Sequence, residues 1–184
     1  NRRVATEVIQ LLGGVGVPQA QVRATRLASR LAEITGGEPL FLAAPGIVAS
    51  VEARDALLAD PYLAQVAQSW HRLTTVLVGI GSLKPSPLLA ESGNAIGAAD
   101  QDELRALGAV GDVCLHYFDA AGAPVASGLD NRVLGIPADA LRAVPRRIGV
   151  AGGSHKLAAI RAAISGGWIN VLITDSVVAQ ALLD

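Results

Sequence analysis

The segment Ile148-Gly-Val-Ala-Gly-Gly-Ser-His-Lys-Leu-Ala-Ala-Ile160 carries the clearest structural signal in this 184-residue sequence. It opens with a short apolar run at 148–151, which predicts a strand. Two glycines follow, and Ser154 stands where it can cap a helix that ends before Gly166. A second apolar run at 169–173 predicts the next strand. The segment and its continuation therefore predict a β-loop-α-β unit.

The glycine loop in this unit has the features of an anion site. Gly152 and Gly153 allow a tight turn that points backbone amides into the gap, and the helix start adds positive potential. Lys156 lies in the predicted first turn, where its charge opposes the helix dipole unless an anion is bound nearby. We expect Gly152, Gly153, Ser154 and Lys156 to hold a phosphate or carboxylate. The alternative is that the glycines merely open a helix and Lys156 is solvated, since the pattern is less constrained than a full phosphate loop.

Strand and helix signals alternate through the rest of the chain. Short apolar runs predict further strands, at residues 8–12, 40–44 and 73–80. Capping residues, prolines and helix-forming runs predict helix starts, at Pro18, Ser50, Pro61, Asp100 and Ala138, with a last helix capped by Thr174 or Asp175. The start at Asp100 has capping-box spacing, with Glu103 as the second member of the box. Residues 109–118 predict one strand with a glycine interruption, and 119–122 a hairpin turn. The alternation predicts an α/β fold with a mostly parallel sheet and helices on both faces.

Composition limits the classes of function. With 184 residues, of which 51% are hydrophobic, the chain can bury a sizeable core, and we expect one domain over 1–184. A net charge of −1 gives no general attraction to nucleic acid or to anionic membranes. The apolar runs are only of strand length, and no secretory signal follows the first three residues. We therefore expect a cytoplasmic protein without a membrane partner.

Ligands of such folds bind beyond the carboxyl ends of the strands, so the residues that follow each apolar run are the binding candidates. They are Gly13, Gly14, Gly81, Ser82, Asp112, Gly152, Gly153, Ser154 and Lys156, accompanied by Lys84 and by Thr174-Asp175. Amides and ammonium groups suit a phosphate, and carboxylates suit sugar hydroxyls, so a sugar phosphate is the expected ligand. For Asp112, a role in turning the chain fits its position after a glycine equally well.

Other site chemistries have little support in the sequence. The histidines at 71, 116 and 155 lack the spacing of zinc ligands. The single cysteine, Cys114, lies in an apolar run and is typical of a small buried residue rather than a nucleophile. There is no Gly-x-Ser-x-Gly nucleophile elbow either. We therefore expect no catalytic residue, no metal and no cofactor.

Two segments near the carboxyl end, Gly149-Val-Ala-Gly-Gly-Ser-His-Lys156 and Val171-Leu-Ile-Thr-Asp175, resemble the carboxyl-terminal signature of SorC/DeoR-type bacterial transcriptional regulators. Other stretches agree with that resemblance and occur in the same order, namely Val8-Ile-Gln-Leu-Leu-Gly-Gly14, Val78-Gly-Ile-Gly-Ser82 and Gly108-Ala-Val-Gly-Asp112. The resemblance covers nearly the whole chain. Each motif is weak alone, but together they are specific.

The resemblance implies an effector-binding, or sugar-binding, domain with a fold similar to glucosamine-phosphate deaminases and ribose-phosphate isomerases. Members of the family sense a phosphorylated sugar here, bind operator DNA through a separate amino-terminal helix-turn-helix, and usually form tetramers. By motif, the effector-contacting lysine and acidic residue fall on Lys156 and Asp112. The implied partners are thus a phosphorylated sugar, operator DNA through an amino-terminal domain not in this chain, and further copies in a dimer or tetramer.

The sequence departs from the family pattern in three places. No helix-turn-helix precedes Asn1, and a Gly/Ser/Thr-rich phosphate loop expected upstream of Thr6 has no equivalent, so we expect a truncated effector domain. Some members have a basic residue beside Gly13-Gly14, where this chain has Leu12, which leaves the effector open. Two alternatives remain. One is a sugar-phosphate isomerase or deaminase with Asp112 as base and Lys156 on the phosphate, and the other is an oligomerisation module with empty loops.

Overall fold

The computed structural model describes residues 4–14, 18–83 and 96–184, and the chain forms two compact units. The described part of the first unit comprises residues 4–14, 18–72 and 131–136. The described part of the second comprises 73–83, 96–130 and 137–184. Residues far apart in the sequence therefore share a unit, as 131–136 do with the amino-terminal part.

The first unit combines a pair of parallel strands with three helices in its described part. Its elements are β1 (Glu7–Ile9), α1 (Pro18–Thr35), β2 (Glu38–Leu40), α2 (Val51–Leu58) and α3 (Pro61–Ser69), followed by a 3-10 turn at Trp70–Arg72. β1 and β2 pair in parallel, with Ile9 opposite Leu40. Ser50 Oγ accepts the Ala53 amide at 3.3 Å and so caps α2, while Asp60 caps α3 ahead of Pro61. The helix starts predicted at Pro18, Ser50 and Pro61 are confirmed.

β1 and β2 end earlier than the apolar runs at 8–12 and 40–44 suggested, so those predicted strand bounds are wrong. The reason is the side chain of Gln10, which replaces backbone pairing where the β1–β2 ladder ends. Its Oε1 accepts the Leu42 amide at 3.2 Å and its Nε2 donates to the Leu12 carbonyl at 2.8 Å. Beyond this point residues 11–13 pair instead with 134–136. An amide side chain can therefore end a ladder that hydrophobic pattern alone would extend.

The second unit contains a parallel and an antiparallel sheet. Its strands are β3 (Thr75–Gly79), β4 (Gly81–Ser82), β5 (Gly111–Val113), β6 (His116–Phe118), β7 (Arg146–Val150) and β8 (Val171–Ile173). Its helices are α4 (Ala98–Ala106), α5 (Ala138–Ala143), α6 (Leu157–Ser165) and α7 (Ser176–Leu183), with a 3-10 turn at Ser154–Lys156. The parallel sheet has the order β3-β7-β8, and the antiparallel sheet β4-β5-β6.

These sheets confirm the α/β class and the parallel pairing that the sequence predicts. The β-loop-α-β unit is present as β7, α6 and β8, although β7 begins two residues before the predicted run and β8 two residues after it. Buried side chains of β3 and of α6 form part of the core, together with two large aromatic residues. They are Val76, Val78, Ala159, Ile160, Phe118 and Trp168. Across the described residues, each helix is too short or too polar to traverse a membrane.

The segment 109–118 forms a hairpin rather than the single interrupted strand that was expected. β5 and β6 pair antiparallel, with Val113 opposite His116. Cys114 and Leu115 make the turn with φ of 53° and 65°, in the left-handed region that side chains with a Cβ rarely adopt. Leu115 is only 3% exposed, so burial of its side chain offsets the backbone cost. The turn at 119–122 is as predicted, since Asp119 Oδ1 accepts the amides of Ala121 and Ala123.

The predicted capping box at Asp100 is wrong. α4 begins at Ala98, two residues before the predicted start, after Gly97 and without a side-chain cap. Asp100 lies within the first turn, where a carboxylate is favourable at the positive end of the helix dipole. Glu103, which the box would use for capping, instead accepts the Gly128 amide at 3.2 Å. A contact between distant residues has replaced the local one.

Candidate functional site

The carboxyl edge of the parallel sheet gathers most of the predicted binding residues of the second unit. Gly79, Val150 and Ile173 lie opposite one another in the register of β3, β7 and β8. Each strand ends at its member of this row, so the segments that follow all emerge at one edge. These segments are Gly81-Ser82, the loop from Gly152 to Lys156, and Thr174-Asp175. All three segments directly follow apolar runs of the sequence, which is why they were predicted as binding candidates.

Asp112 is nearly buried at this edge, with 8% of its surface exposed. The β4–β5 ladder sets it opposite Gly81, and a Cβ on Gly81 would overlap Asp112 Oδ1. Its Oδ2 accepts the Leu115 amide at 3.1 Å, so it also supports the strained hairpin turn. Burial raises the pKa of Asp112 to about 6, against the opposing influence of the Leu115 amide and of the Lys156 charge. Asp112 is therefore a carboxyl group that titrates near neutral pH.

Lys156 reaches the same place from the other end of the unit. It is half buried, and its Nζ donates to the Ile80 carbonyl at 2.8 Å, immediately before Gly81. Its positive charge acts on Asp112, whose pKa it lowers. The structure thus brings Gly81, Asp112 and Lys156 together, although Lys156 and Ile80 are 76 residues apart. An ammonium group and a carboxyl group now share one edge of the sheet.

The glycine loop turns as expected, but its amide already has a partner. Gly153 has φ of 91°, a conformation that favours glycine. Its N–H donates to Asp175 Oδ2 at 2.7 Å, and the second carboxylate oxygen accepts the Val178 amide at 2.9 Å, capping α7. The hydrogen bond from the Val178 amide, and to a lesser extent the one from Gly153, holds the pKa of Asp175 below its usual range. The predicted cap at Asp175 is confirmed, whereas its hydrogen bond to Gly153 was not predicted from the sequence.

Ser154 does not cap the following helix, so that prediction is wrong. It begins the 3-10 turn Ser154–Lys156, for which Gly153 is the preceding residue, and no side chain caps this turn. α6 starts only at Leu157, with Lys156 in the capping position rather than in the first helical turn. The left-handed Gly153 directs the chain into a tight turn before the α-helix can begin, which local patterns do not reveal.

The remaining predicted residues lie elsewhere or serve backbone packing. Gly13 belongs to the first unit, where its amide donates to the Leu134 carbonyl and a Cβ would overlap the backbone of Pro45. Gly14 follows it and is half buried. Ser82 pairs with Gly111 in the β4–β5 ladder. Lys84 lies outside the described residues. The structure thus gives Gly13 a packing reason that the sequence argument did not consider.

Thr174 is a further polar residue of this edge, named in the sequence only as an accompanying residue. Its Oγ1 is buried and, among the residues that the structure describes, has no hydrogen-bond partner. A buried hydroxyl without a partner carries a free-energy penalty, which marks it as a group that a ligand or water could satisfy. Its position directly after the β8 run was visible in the sequence. Within the described ranges, no group of three or more His, Cys, Asp or Glu is arranged to hold a metal ion.

Comparison with known proteins identifies similar chains. The Sugar-bind family model, which describes a sugar-binding domain, matches residues 2–184. The chain is 29% identical over 180 residues to the deoxyribonucleoside regulator of Bacillus subtilis (strain 168), covering 97% of this chain and 56% of that protein. The chain spans about half the length of the curated relatives that it matches along most of its own length.

Solved structures agree. The sor operon regulator from Shigella flexneri superimposes with a TM-score of 0.84 at 26% identity, over 97% of this chain and 69% of that one. The sugar-binding domain of the transcriptional regulator DeoR from Pseudomonas syringae pv. tomato gives a TM-score of 0.71 at 34% identity, over 99% of this chain and 66% of that one. These matched proteins are named as regulators or as domains of regulators.

Proposed function

The chain belongs to the family of sugar-binding domains found in SorC- and DeoR-type transcriptional regulators, and on that premise we propose that it binds a phosphorylated sugar as the effector of such a regulator. The observation that carries the proposal is the meeting of Lys156 with Asp112 at the carboxyl edge of the parallel sheet. A cation beside a carboxyl group suits a ligand that has both phosphate and hydroxyl groups.

In this proposal Lys156 binds the phosphate. Its ammonium has three N–H donors, of which one bonds to Ile80, so others can donate to phosphate oxygens. Asp112 accepts hydrogen bonds from sugar hydroxyls, and its ionised form, which dominates above a pKa of about 6, is the better acceptor. Gly81 leaves the space that the Asp112 carboxylate fills. Gly152, Gly153 and Ser154 form the loop that leads into Lys156.

The regulatory part of the proposal concerns the intact protein. Effector binding would shift the arrangement of subunits in a homo-oligomer and thereby change its affinity for operator DNA, which an amino-terminal domain would contact in the cytoplasm. Such coupling requires the effector to bind one arrangement more tightly than the other. The isomerase-like or deaminase-like alternative is not favoured, because the matched proteins are regulators.

A thermal-shift screen tests the proposal. The panel pairs hexose 6-phosphates and pentose 5-phosphates with the corresponding unphosphorylated sugars. A phosphorylated sugar at a hundred times its Kd should stabilise the unmodified chain by about 2.7 kcal/mol. Lys156→Ala and Asp112→Asn should each lose most of that shift.

Arg161→Ala is the matched control for the lysine variant. Arg161 also donates to a backbone carbonyl, that of Ala181 at 2.6 Å, but does so from the exposed side of α6. This variant should keep the ligand-induced shift. Equal shifts with phosphorylated and unphosphorylated sugars would remove the phosphate from the proposal. An undiminished shift in Lys156→Ala would show that Lys156 does not bind the phosphate.

A further inference from the structure

The contact between Asp175 and Gly153 joins the two loops that would bind the phosphate. It connects the end of β7 to the end of β8 across 22 residues of sequence. A Cβ on Gly152 would come within 2.6 Å of Asp175 Oδ2, so a side chain there would obstruct the carboxylate. Glycine at position 152 therefore has a second explanation besides exposing amides to a ligand. It lets a carboxylate of the same chain approach the loop.

A phosphate and Asp175 would use the same hydrogen-bond donor. The Gly153 amide has one hydrogen, and Asp175 Oδ2 accepts it at 2.7 Å. Hydrogen bonds from Val178 and Gly153 keep the pKa of Asp175 low, so the group is negatively charged at neutral pH. A phosphate at this amide would therefore meet both an occupied donor and a like charge.

The capping role of Asp175 is separate from its bond to Gly153. Its Oδ1 accepts the Val178 amide and starts α7, whereas Oδ2 bonds to the loop. Release of Oδ2 from Gly153 does not by itself remove the cap. The buried hydroxyl of Thr174, which has no partner among the described residues, lies one position before Asp175. This edge of the sheet therefore has one amide, that of Gly153, which Asp175 already occupies. It also has one buried hydroxyl, that of Thr174, which has no partner among the described residues.

We propose that Asp175 competes with the phosphate group of the ligand for the Gly153 amide, and so limits how tightly this domain binds an anion. This inference rests on the proposed function, since it concerns the same loop. It assigns Asp175 as an affinity-setting residue in addition to its capping role. It also explains why a loop with the features of an anion site carries a carboxylate of its own.

Titration with inorganic phosphate tests the inference. Asp175→Asn keeps an oxygen that can cap α7 but removes the charge, and Asp175→Ser keeps a cap that is too short to reach Gly153. Both variants should bind inorganic phosphate with a Kd roughly fivefold lower than that of the unmodified chain, a modest gain because solvent screens an exposed carboxylate. In NMR spectra of the unmodified chain, phosphate should shift the Gly153 amide resonance.

Asp60 supplies the matched control. It caps α3 by accepting the amides of Tyr62 and Leu63, and it belongs to the first unit, whereas Gly153 belongs to the second. Asp60→Asn and Asp60→Ser should leave the phosphate Kd unchanged. Unchanged or weaker phosphate binding in both Asp175 variants would overturn the inference. If no variant binds phosphate while sugar phosphates still stabilise the unmodified chain, the inference fails and the proposed function stands. If sugar phosphates also have no effect, both fail.

Discussion

The Asp112 carboxylate lies directly against the Cα of Gly81, its partner across the β4–β5 ladder. Any side chain at position 81 would occupy the space of Asp112 Oδ1. The same carboxylate is fixed on its other side by the Leu115 amide. The position of Asp112 therefore depends on the absence of a side chain at position 81, in the strand that precedes its own.

Gly81→Ala should lower the free energy of unfolding by roughly 1–3 kcal/mol, the usual cost of forcing extra volume into a packed site. Urea denaturation measures this loss. In an Asp112→Ala background the same substitution should cost much less, because the overlapping carboxylate is gone and neighbouring substitutions are not additive. The full cost in both backgrounds would show that the overlap with Asp112 is not its cause.

Stability should depend on the protonation of Asp112. Its pKa is about 6 in the folded chain against an ordinary value of 3.8, so the folded state binds the proton more tightly. The resulting stabilisation is fully present below pH 3.8 and is lost as the pH rises through about 6. Its size is about 3 kcal/mol. Urea denaturation between pH 4 and 7 should show this fall in the unmodified chain.

Asp112→Asn provides the reference for that measurement. Other carboxyl groups titrate in both proteins, among them Asp175, whose lowered pKa acts in the opposite direction. The difference in stability between the two proteins isolates Asp112. We expect the unmodified chain to lose stability relative to Asp112→Asn as the pH rises. Parallel pH profiles would contradict the assigned pKa.

The thiol of Cys114 should be unreactive in the folded chain. Burial, and then the nearby charge of Asp112, raise its pKa to about 12 from an ordinary value of 9.0. Its thiolate fraction at neutral pH is then about a thousandfold smaller than that of an ordinary thiol. Because the chain has one cysteine, the rate of iodoacetamide labelling followed by mass spectrometry reports on this group alone. Labelling as fast in buffer as in urea would exclude such protection.

Local signals predicted much of the fold. Ser50, Pro61 and Asp175 mark helix starts correctly, because a capping side chain or a proline acts on amides within three residues of itself. The parallel strands around the glycine loop were predicted for a similar reason, since their apolar runs and breaks are continuous in sequence. Gly81, Asp112 and Lys156 were predicted as binding candidates because each follows an apolar run or a strand break, but their meeting at one edge required the structure.

The errors arise where a distant residue decides the local structure. Gln10 ends β1 through its bonds to residues 12 and 42, and Glu103 leaves the expected capping box for Gly128. The bond between Asp175 and Gly153 is likewise invisible in either segment alone. The Cys114-Leu115 turn contains neither the Gly nor the Asn that usually marks a tight hairpin. Such features require the folded chain.

That turn also bears on how the domain can be engineered. Hairpin tips are ordinarily the preferred sites for grafting epitopes or joining new termini, because they project into water. Here the tip is anchored inward by the side chain of Leu115 and fastened to Asp112. A graft at this turn would remove the Leu115 amide that holds Asp112, the proposed acceptor for sugar hydroxyls, so fusions belong at other surface loops.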